Sequence, residues 1–327
     1  MKKNGQEKKA PKKSGQRLLN ALIVLALGTM LLSGGMILYQ MVFLPWQSRA
    51  VTKEYQDFLG EKKRPESSNM VKFESTEVLE YYLPLLEKNP DFAGWMTIPG
   101  TELNHPVFYT PEDQNYYLRR NANGADDRYG SLFLSKESTL NPQAQVLVMY
   151  GHNMEDDDLM FGQLTNFLKE DFMRQTPVFT FDTIYRMGQW KVIAVCYAST
   201  NFADNGFNYV KCSYDTETEF YRFLWECRTR SLYQIEDDAT YDDAFLVCST
   251  CMYDFWGERL ILVARRLREN ERAEDVSGEN IRKNPYYRMP KEYYDYYTQS
   301  VEPTMEQVME NYRMFYGKDA AYQAGKP

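Results

Sequence analysis

From Leu18 to Ser48 the chain carries no charged residue, and most positions in this run are apolar. An α-helix rises about 1.5 Å per residue, so roughly 20 such residues cross the hydrocarbon core of a bilayer. The run exceeds that length, with room for tilt. Its apolar residues cover every helical face, which does not suit an amphipathic helix lying on a soluble core. Lys2, Lys3, Lys8, Lys9, Lys12, Lys13 and Arg17 precede it against Glu7 alone, and Tyr39 and Trp46 lie towards its far end. Basic flanks stay cytoplasmic and aromatic residues collect at the interfaces, so residues beyond about 49 are expected outside the cell. A cleaved signal peptide would have an apolar core of only about 7–15 residues ending in a small-residue cleavage site. No A-x-A pattern follows here, and a retained anchor is expected.

The net charge of −8 therefore combines a basic tail with a strongly acidic body. An acidic body repels phosphate backbones, so nucleic acid is not an expected partner. All five cysteines, Cys196, Cys212, Cys227, Cys248 and Cys251, fall in the extracytoplasmic part. An odd number leaves at least one thiol unpaired. Cys248 and Cys251 have C-x-x-C spacing, but there is no second pair and there are only two histidines, so zinc is not expected. A redox pair favours a helix N-terminus, whereas this one ends an apolar run that reads as a strand. The acidic run Glu155 to Asp158 lacks the alternating spacing and glycine of a calcium loop. No metal and no cofactor are expected.

Five regions follow. Residues 1–17 form the basic tail, 18–45 the anchor, 46–74 a linker, 75–268 the main folded domain, and 269–327 a tyrosine-rich extension expected to be loosely ordered. A helical pattern opens at Ser75 and stops at Asn89-Pro90. The period then changes. Runs at 92–98, 103–109, 131–134, 145–150, 177–182, 190–198, 244–250 and 259–267 are short, rich in Val, Ile, Phe and Tyr, and bounded by turn residues. Helices are expected at 161–175 and 216–233. About eight strands with a few inserted helices indicate a mainly β fold, a closed or nearly closed eight-stranded barrel.

Histidine is scarce, which narrows the search for chemistry. His152 follows the strand ending at Tyr150, next to Gly151, a rim position open to a cleft. His105 lies inside a strand beside Pro106 and reads as structural. Cys251 closes an apolar strand, and Cys248, three residues earlier, faces the opposite side. Arg259 opens the next strand after a short loop, so an antiparallel pairing returns it to the end where Cys251 sits. A thiolate is the nucleophile, and a nearby imidazolium or guanidinium lowers the thiol pKa. A fixed guanidinium also stabilises an oxyanion.

The segments Tyr150-Gly151-His152, Leu246-Val247-Cys248-Ser249-Thr250-Cys251 and Arg259 resemble the marks of the sortase family. Gly94 to Thr101, Pro106-Val107, Asn115 to Leu118, Gly130 to Leu134, His152-Asn153-Met154 and Met160 to Leu164 resemble class B sortases in particular, as does the long helix at 216–233. The resemblance covers roughly 75–267. It departs at Cys248, where a leucine is usual, and at His105, where an aromatic is usual.

The resemblance implies a sortase-type barrel and a cysteine transpeptidase with Cys251 as nucleophile, His152 as proton partner and Arg259 as charge stabiliser. The implied partners are the sorting motif of secreted surface proteins (L-P-x-T-G, or N-P-x-T-[NG] for class B) and an amine of a peptidoglycan precursor or a pilin. Leu118, Tyr150, Tyr209 and Ser249 are implied as groove residues, and Asp254 as a helper acid. Two other readings of the same residues are a cysteine hydrolase, with water as acceptor, and a membrane-tethered binding module without catalysis.

Overall fold

A computed structural model describes residues 13–59, 64–154 and 157–317. Most of the basic tail, Glu155 and Asp156 of the acidic run, and residues 318–327 lie outside the described residues. The chain forms two compact units, Met1–Gln47 and Ser48–Pro327. Helix α1 (Lys13–Leu38) occupies the first unit and continues into a π-helical turn, Tyr39–Phe43. The helical run Gly15–Leu59 is long and apolar enough to cross a membrane, with a window of mean hydropathy 2.3 and no buried residue in that window.

The second unit starts within α2 (Leu44–Leu59), most of which lies in the segment expected to be a linker. Its ordering has a cause. Tyr55 is buried and donates to the Ala122 carbonyl at 2.7 Å, while Gln56 donates to the Asn104 carbonyl at 2.8 Å. Arg49 pairs with Asp157 at 2.9 Å. The same expected linker also contains a strand, Met70–Phe73, paired antiparallel with Thr76–Leu79.

The single helix read from Ser75 is thus corrected. Thr76–Leu79 is extended, Glu80–Tyr82 is a 3₁₀ turn, and only α3 (Leu83–Lys88) is α-helical. Pro84 lies in the first turn of α3, the one place in a helix where a missing N–H costs nothing. The helix read at 161–175 is likewise divided into a 3₁₀ stretch, Met160–Leu168, and α4 (Glu170–Gln175).

The eight expected strands are all present: β1 (Phe92–Thr97), β2 (Asn104–Phe108), β3 (Leu132–Leu134), β4 (Val146–Tyr150), β5 (Val178–Thr183), β6 (Gln189–Ser199), β7 (Phe245–Cys251) and β8 (Glu258–Arg266). They close into a barrel in the order β7-β8-β6-β5-β1-β2-β3-β4. The closing contact, β4 with β7, is parallel. Every residue of β7 from Phe245 to Thr250 is buried, because both faces of the strand are covered. Phe245 and Val247 share one face with Phe220, Phe223 and Leu224 of α5 (Glu217–Arg230). The side chain of Thr216 caps α5 by accepting from Glu219 N at 3.2 Å. Acids in its first turn and Arg228 and Arg230 in its last suit the helix dipole.

Residues 269–317 of the extension are ordered as part of this unit, contrary to expectation. Arg282–Lys283 pairs with Tyr233–Gln234, and α6 (Lys291–Tyr296) and α7 (Met305–Tyr316) follow. Thr304 and Gln307 form a capping box at the start of α7. Few aliphatic side chains hold the extension. Gln234 donates to Asn311, Asn311 donates to Asn284, and Asn284 donates to the Ser231 carbonyl, each at 2.9 Å. Arg228, paired with Asp237, donates to Tyr312 at 3.2 Å and lies 4.8 Å from the Tyr316 ring centroid. Buried tyrosines and hydrogen-bonded amides replace an apolar stripe here.

Candidate active site

The parallel register of β4 and β7 sets Ser249 opposite Tyr150. Two residues further along each chain stand Cys251 and His152. Side chains fasten these two ends together. Thr250 Oγ1 donates to the Gly151 carbonyl at 2.8 Å, and Asn153 Nδ2 donates to the Cys251 carbonyl at 2.9 Å. The Tyr253 hydroxyl donates to the Asn153 carbonyl. Gly151 is required where the chain leaves β4, since a Cβ there would lie 2.5 Å from Leu132 Cδ2 and 2.8 Å from Phe161 Cγ. On the other side of β7, the antiparallel register makes Arg259 the partner of Cys251. Directly paired residues point to the same face. Cys251 therefore stands between the His152 segment and Arg259, at the end of three adjacent strands.

The His152 ring donates Nε2–H to the Leu118 carbonyl at 2.8 Å, and Nδ1 makes no hydrogen bond among the described residues. Burial holds the imidazole pKa below the ordinary 6.5. The Leu118 carbonyl opposes that effect, the charge of Arg119 adds to it, and Asp127 opposes it. Arg259 Nη1 donates to the Glu258 carbonyl at 2.8 Å. The guanidinium lies close enough to Tyr150 and Tyr209 to offset part of the rise that burial gives both phenols. Ser249 Oγ, on the same face of β7 as Cys251, is buried beside the Tyr209 phenol. Tyr150, Tyr209 and Ser249 thus gather beside Arg259. Leu118 stands beside His152, but its carbonyl, not its side chain, makes the contact.

No family model matches the chain. A sortase B of Listeria monocytogenes is 27% identical over 235 residues, which cover 71% of this chain and 88% of the relative. A sortase B of Staphylococcus aureus is 28% identical over 183 residues, or 55% of this chain and 72% of the relative. The crystal structure of sortase B from B. anthracis in complex with AAEK1 matches with a TM-score of 0.58 at 27% identity, covering 69% of this chain and all but 1% of that one. These relatives and structures support a sortase family for the chain, most like class B. A sortase-type function in general goes with that relationship.

All five thiols of this sortase-type chain are free, and only Cys251 is not fully buried. Burial pushes the pKa of Cys196, Cys227 and Cys248 far up, so these three stay protonated. Cys248, on the opposite face of β7 from Cys251, is completely enclosed. His105 is buried on β2, a strand that does not border β7, with Nδ1 3.3 Å from Thr52 Oγ1. Burial drives its pKa down to about 4, which keeps it neutral. The Asp254 side chain is exposed in the loop between β7 and β8, and its backbone N–H is what enters the local network, donating to Glu258 Oε2 at 2.9 Å.

Sequence reasoning missed two residues of this site. Asn153 stands out in the sequence only as part of the His152 motif, yet it joins the His152 segment to the Cys251 carbonyl. Glu258 was read as the end of a loop.

Proposed function

We propose that this chain is a membrane-anchored cysteine transpeptidase that cleaves a sorting motif of secreted surface proteins and joins the released acyl group to an amine. The observation that carries the reading is the shared register of β4, β7 and β8, which groups the one accessible thiol with the His152 segment and Arg259. Because burial keeps His152 mostly neutral at neutral pH, its imidazole is able to take the Cys251 proton. The thiolate attacks the carbonyl carbon of the motif threonine, and Arg259 stabilises the oxyanion that forms. The C–N bond then breaks, the leaving amine takes the proton from the imidazolium, and a Cys251 thioester remains. An acceptor amine attacks that thioester, gives its proton to His152, and leaves as a new amide with the thiol restored.

The substrates follow from the same reading: an N-P-x-T-[NG] or L-P-x-T-G segment, with a peptidoglycan-precursor or pilin amine as acceptor. Leu118, Tyr150, Tyr209 and Ser249 line the groove. Residues 18–45 hold the enzyme in the membrane, and 75–268 perform the chemistry on its outer side.

The test uses the full chain in detergent with each motif peptide, with and without a short amino-terminal glycine or diaminopimelate-type acceptor. An amide product that forms only with the amine is expected. Release of the free acid alone, at a rate the amine does not change, would make the protein a hydrolase. Failure to cut either peptide would contradict the substrate assignment.

A further inference from the structure

Glu258 is completely buried, although it sits at the exit of the loop 252–257 and directly precedes Arg259. It holds that loop at several points. Its carboxyl Oε2 accepts from Asp254 N–H at 2.9 Å, and its own N–H donates to the Phe255 carbonyl at 3.3 Å. Its main-chain carbonyl accepts both Met252 N–H at 3.1 Å and Arg259 Nη1–H at 2.8 Å. One residue therefore ties the chain leaving Cys251, the middle of the loop and the guanidinium to each other. The loop is also held at Tyr253, whose hydroxyl donates to the Asn153 carbonyl, and at Gly257, whose carbonyl accepts Thr200 N–H at 3.1 Å, while Trp256 is 95% exposed.

Strand alternation puts the Glu258 side chain on the face opposite Arg259, and the C-terminal extension covers that face. Ser199, the register partner of Glu258 on β6, donates to Glu292 on α6 at 2.9 Å. Phe255 meets Tyr293 of α6 edge-on at 6.5 Å, and Tyr293 packs on Tyr297 at 4.9 Å. The titratable groups around the carboxyl are Asp254 on its own loop, Tyr197 on β6, and Glu292 and Tyr297 of the extension, with Arg259 as the adjoining cation. Carboxyl Oε1 has no hydrogen-bond partner among the described residues.

We infer that Glu258 is a positioning residue that fixes the Cys251–Arg259 loop, and that α6 of the C-terminal extension is the roof that keeps its carboxyl in place. The inference rests on the transpeptidase reading for its kinetic consequence, but not for its physical one. Burial, with the charge of Asp254 as a further contribution, pushes the Glu258 pKa up to about 7. A carboxyl whose pKa is raised on folding is protonated at pH 6 and ionised at pH 8. Stability is therefore lost as pH rises towards and through that value.

The test compares the full chain with Glu258→Ala, Glu258→Gln and Tyr293→Ala in three measurements. Glu258→Ala is expected to lower kcat about tenfold or more with little change in KM. Glu258→Gln still offers an oxygen to the Asp254 amide and should recover activity to within about threefold. Tyr293→Ala should follow Glu258→Ala with a smaller factor. Alkylation of Cys251, followed on its own peptide by mass spectrometry, should be slowed several-fold in Glu258→Ala and restored in Glu258→Gln, since the chain leaving Cys251 is no longer held in place. Between pH 6 and pH 8 the wild-type melting temperature should fall relative to that of Glu258→Gln.

Equal losses in Glu258→Ala and Glu258→Gln, or wild-type kcat and alkylation in Glu258→Ala, would overturn the positioning role. A Tyr293→Ala chain that behaves as wild type would overturn the roof. A wild-type chain that cuts no motif peptide refutes the transpeptidase reading instead, and the alkylation and melting measurements still decide this inference.

Discussion

Cys251→Ala is expected to leave a folded protein in which motif-peptide cleavage has fallen by at least about 10⁴-fold, the scale set by removing a nucleophile from other covalent-catalysis enzymes. No other thiol can replace it. Cys196, Cys227 and Cys248 are enclosed and held protonated by burial, and Cys212 is buried as well, its sulfur 3.4 Å from Ser135 Oγ. His152→Ala should be nearly as damaging, because the second histidine is buried on another strand with its pKa near 4. The double variant should be scarcely worse than either single one, since the two side chains act in the same proton transfer. An unchanged thermal transition in each variant separates lost chemistry from lost folding. The pH profile carries the sign of the His152 shift: the imidazole must be neutral to accept the thiol proton, so the acid limb of kcat/KM should lie below 6.5. A folded Cys251→Ala chain that still cleaves would end the mechanism.

Arg259→Ala should cost about 10²–10³ in kcat, the usual consequence of removing one oxyanion donor. Arg259→Lys should remain clearly impaired. The guanidinium is held by one of its nitrogens to the Glu258 carbonyl; a lysine ammonium keeps the charge but loses the planar array of donors that can hold that carbonyl and an oxyanion at once. Full activity in a folded Arg259→Ala chain would remove the oxyanion role and leave the Cys251–His152 pair standing.

The barrel was legible because each strand is a bounded run of β-branched and aromatic residues, and the end of a strand is where a barrel exposes chemistry. Cys251, His152 and Arg259 were accordingly found from sequence alone as candidates at three strand ends. Other parts were hidden for physical reasons. Helix α2 docks through Val51, Tyr55 and Leu59 together with Gln56 and Arg49, a short stripe that follows the long apolar run and is hard to tell apart from it in sequence. The hairpin at 70–79 was masked by Val78, Leu79 and Tyr82, whose spacing fits a helical face as well as a strand followed by a turn. The extension holds to the unit through Asn284, Asn311, Tyr312 and Tyr316, residue types that in sequence suggest solvent exposure. Glu258 was invisible for a related reason: the burial of a carboxylate depends on what covers it, and α6 comes from more than 30 residues downstream.

The central claim is that Cys251 forms a covalent bond to the substrate. The full chain would be mixed with an N-P-x-T-[NG] peptide in the absence of any amine, quenched in acid, digested, and read by mass spectrometry. The account predicts an acyl adduct, cut after the motif threonine, on the peptide that contains Cys251 and on no other cysteine peptide, and released by an added amine. Peptide cleavage with no adduct at Cys251, or with the adduct on another residue, would contradict it.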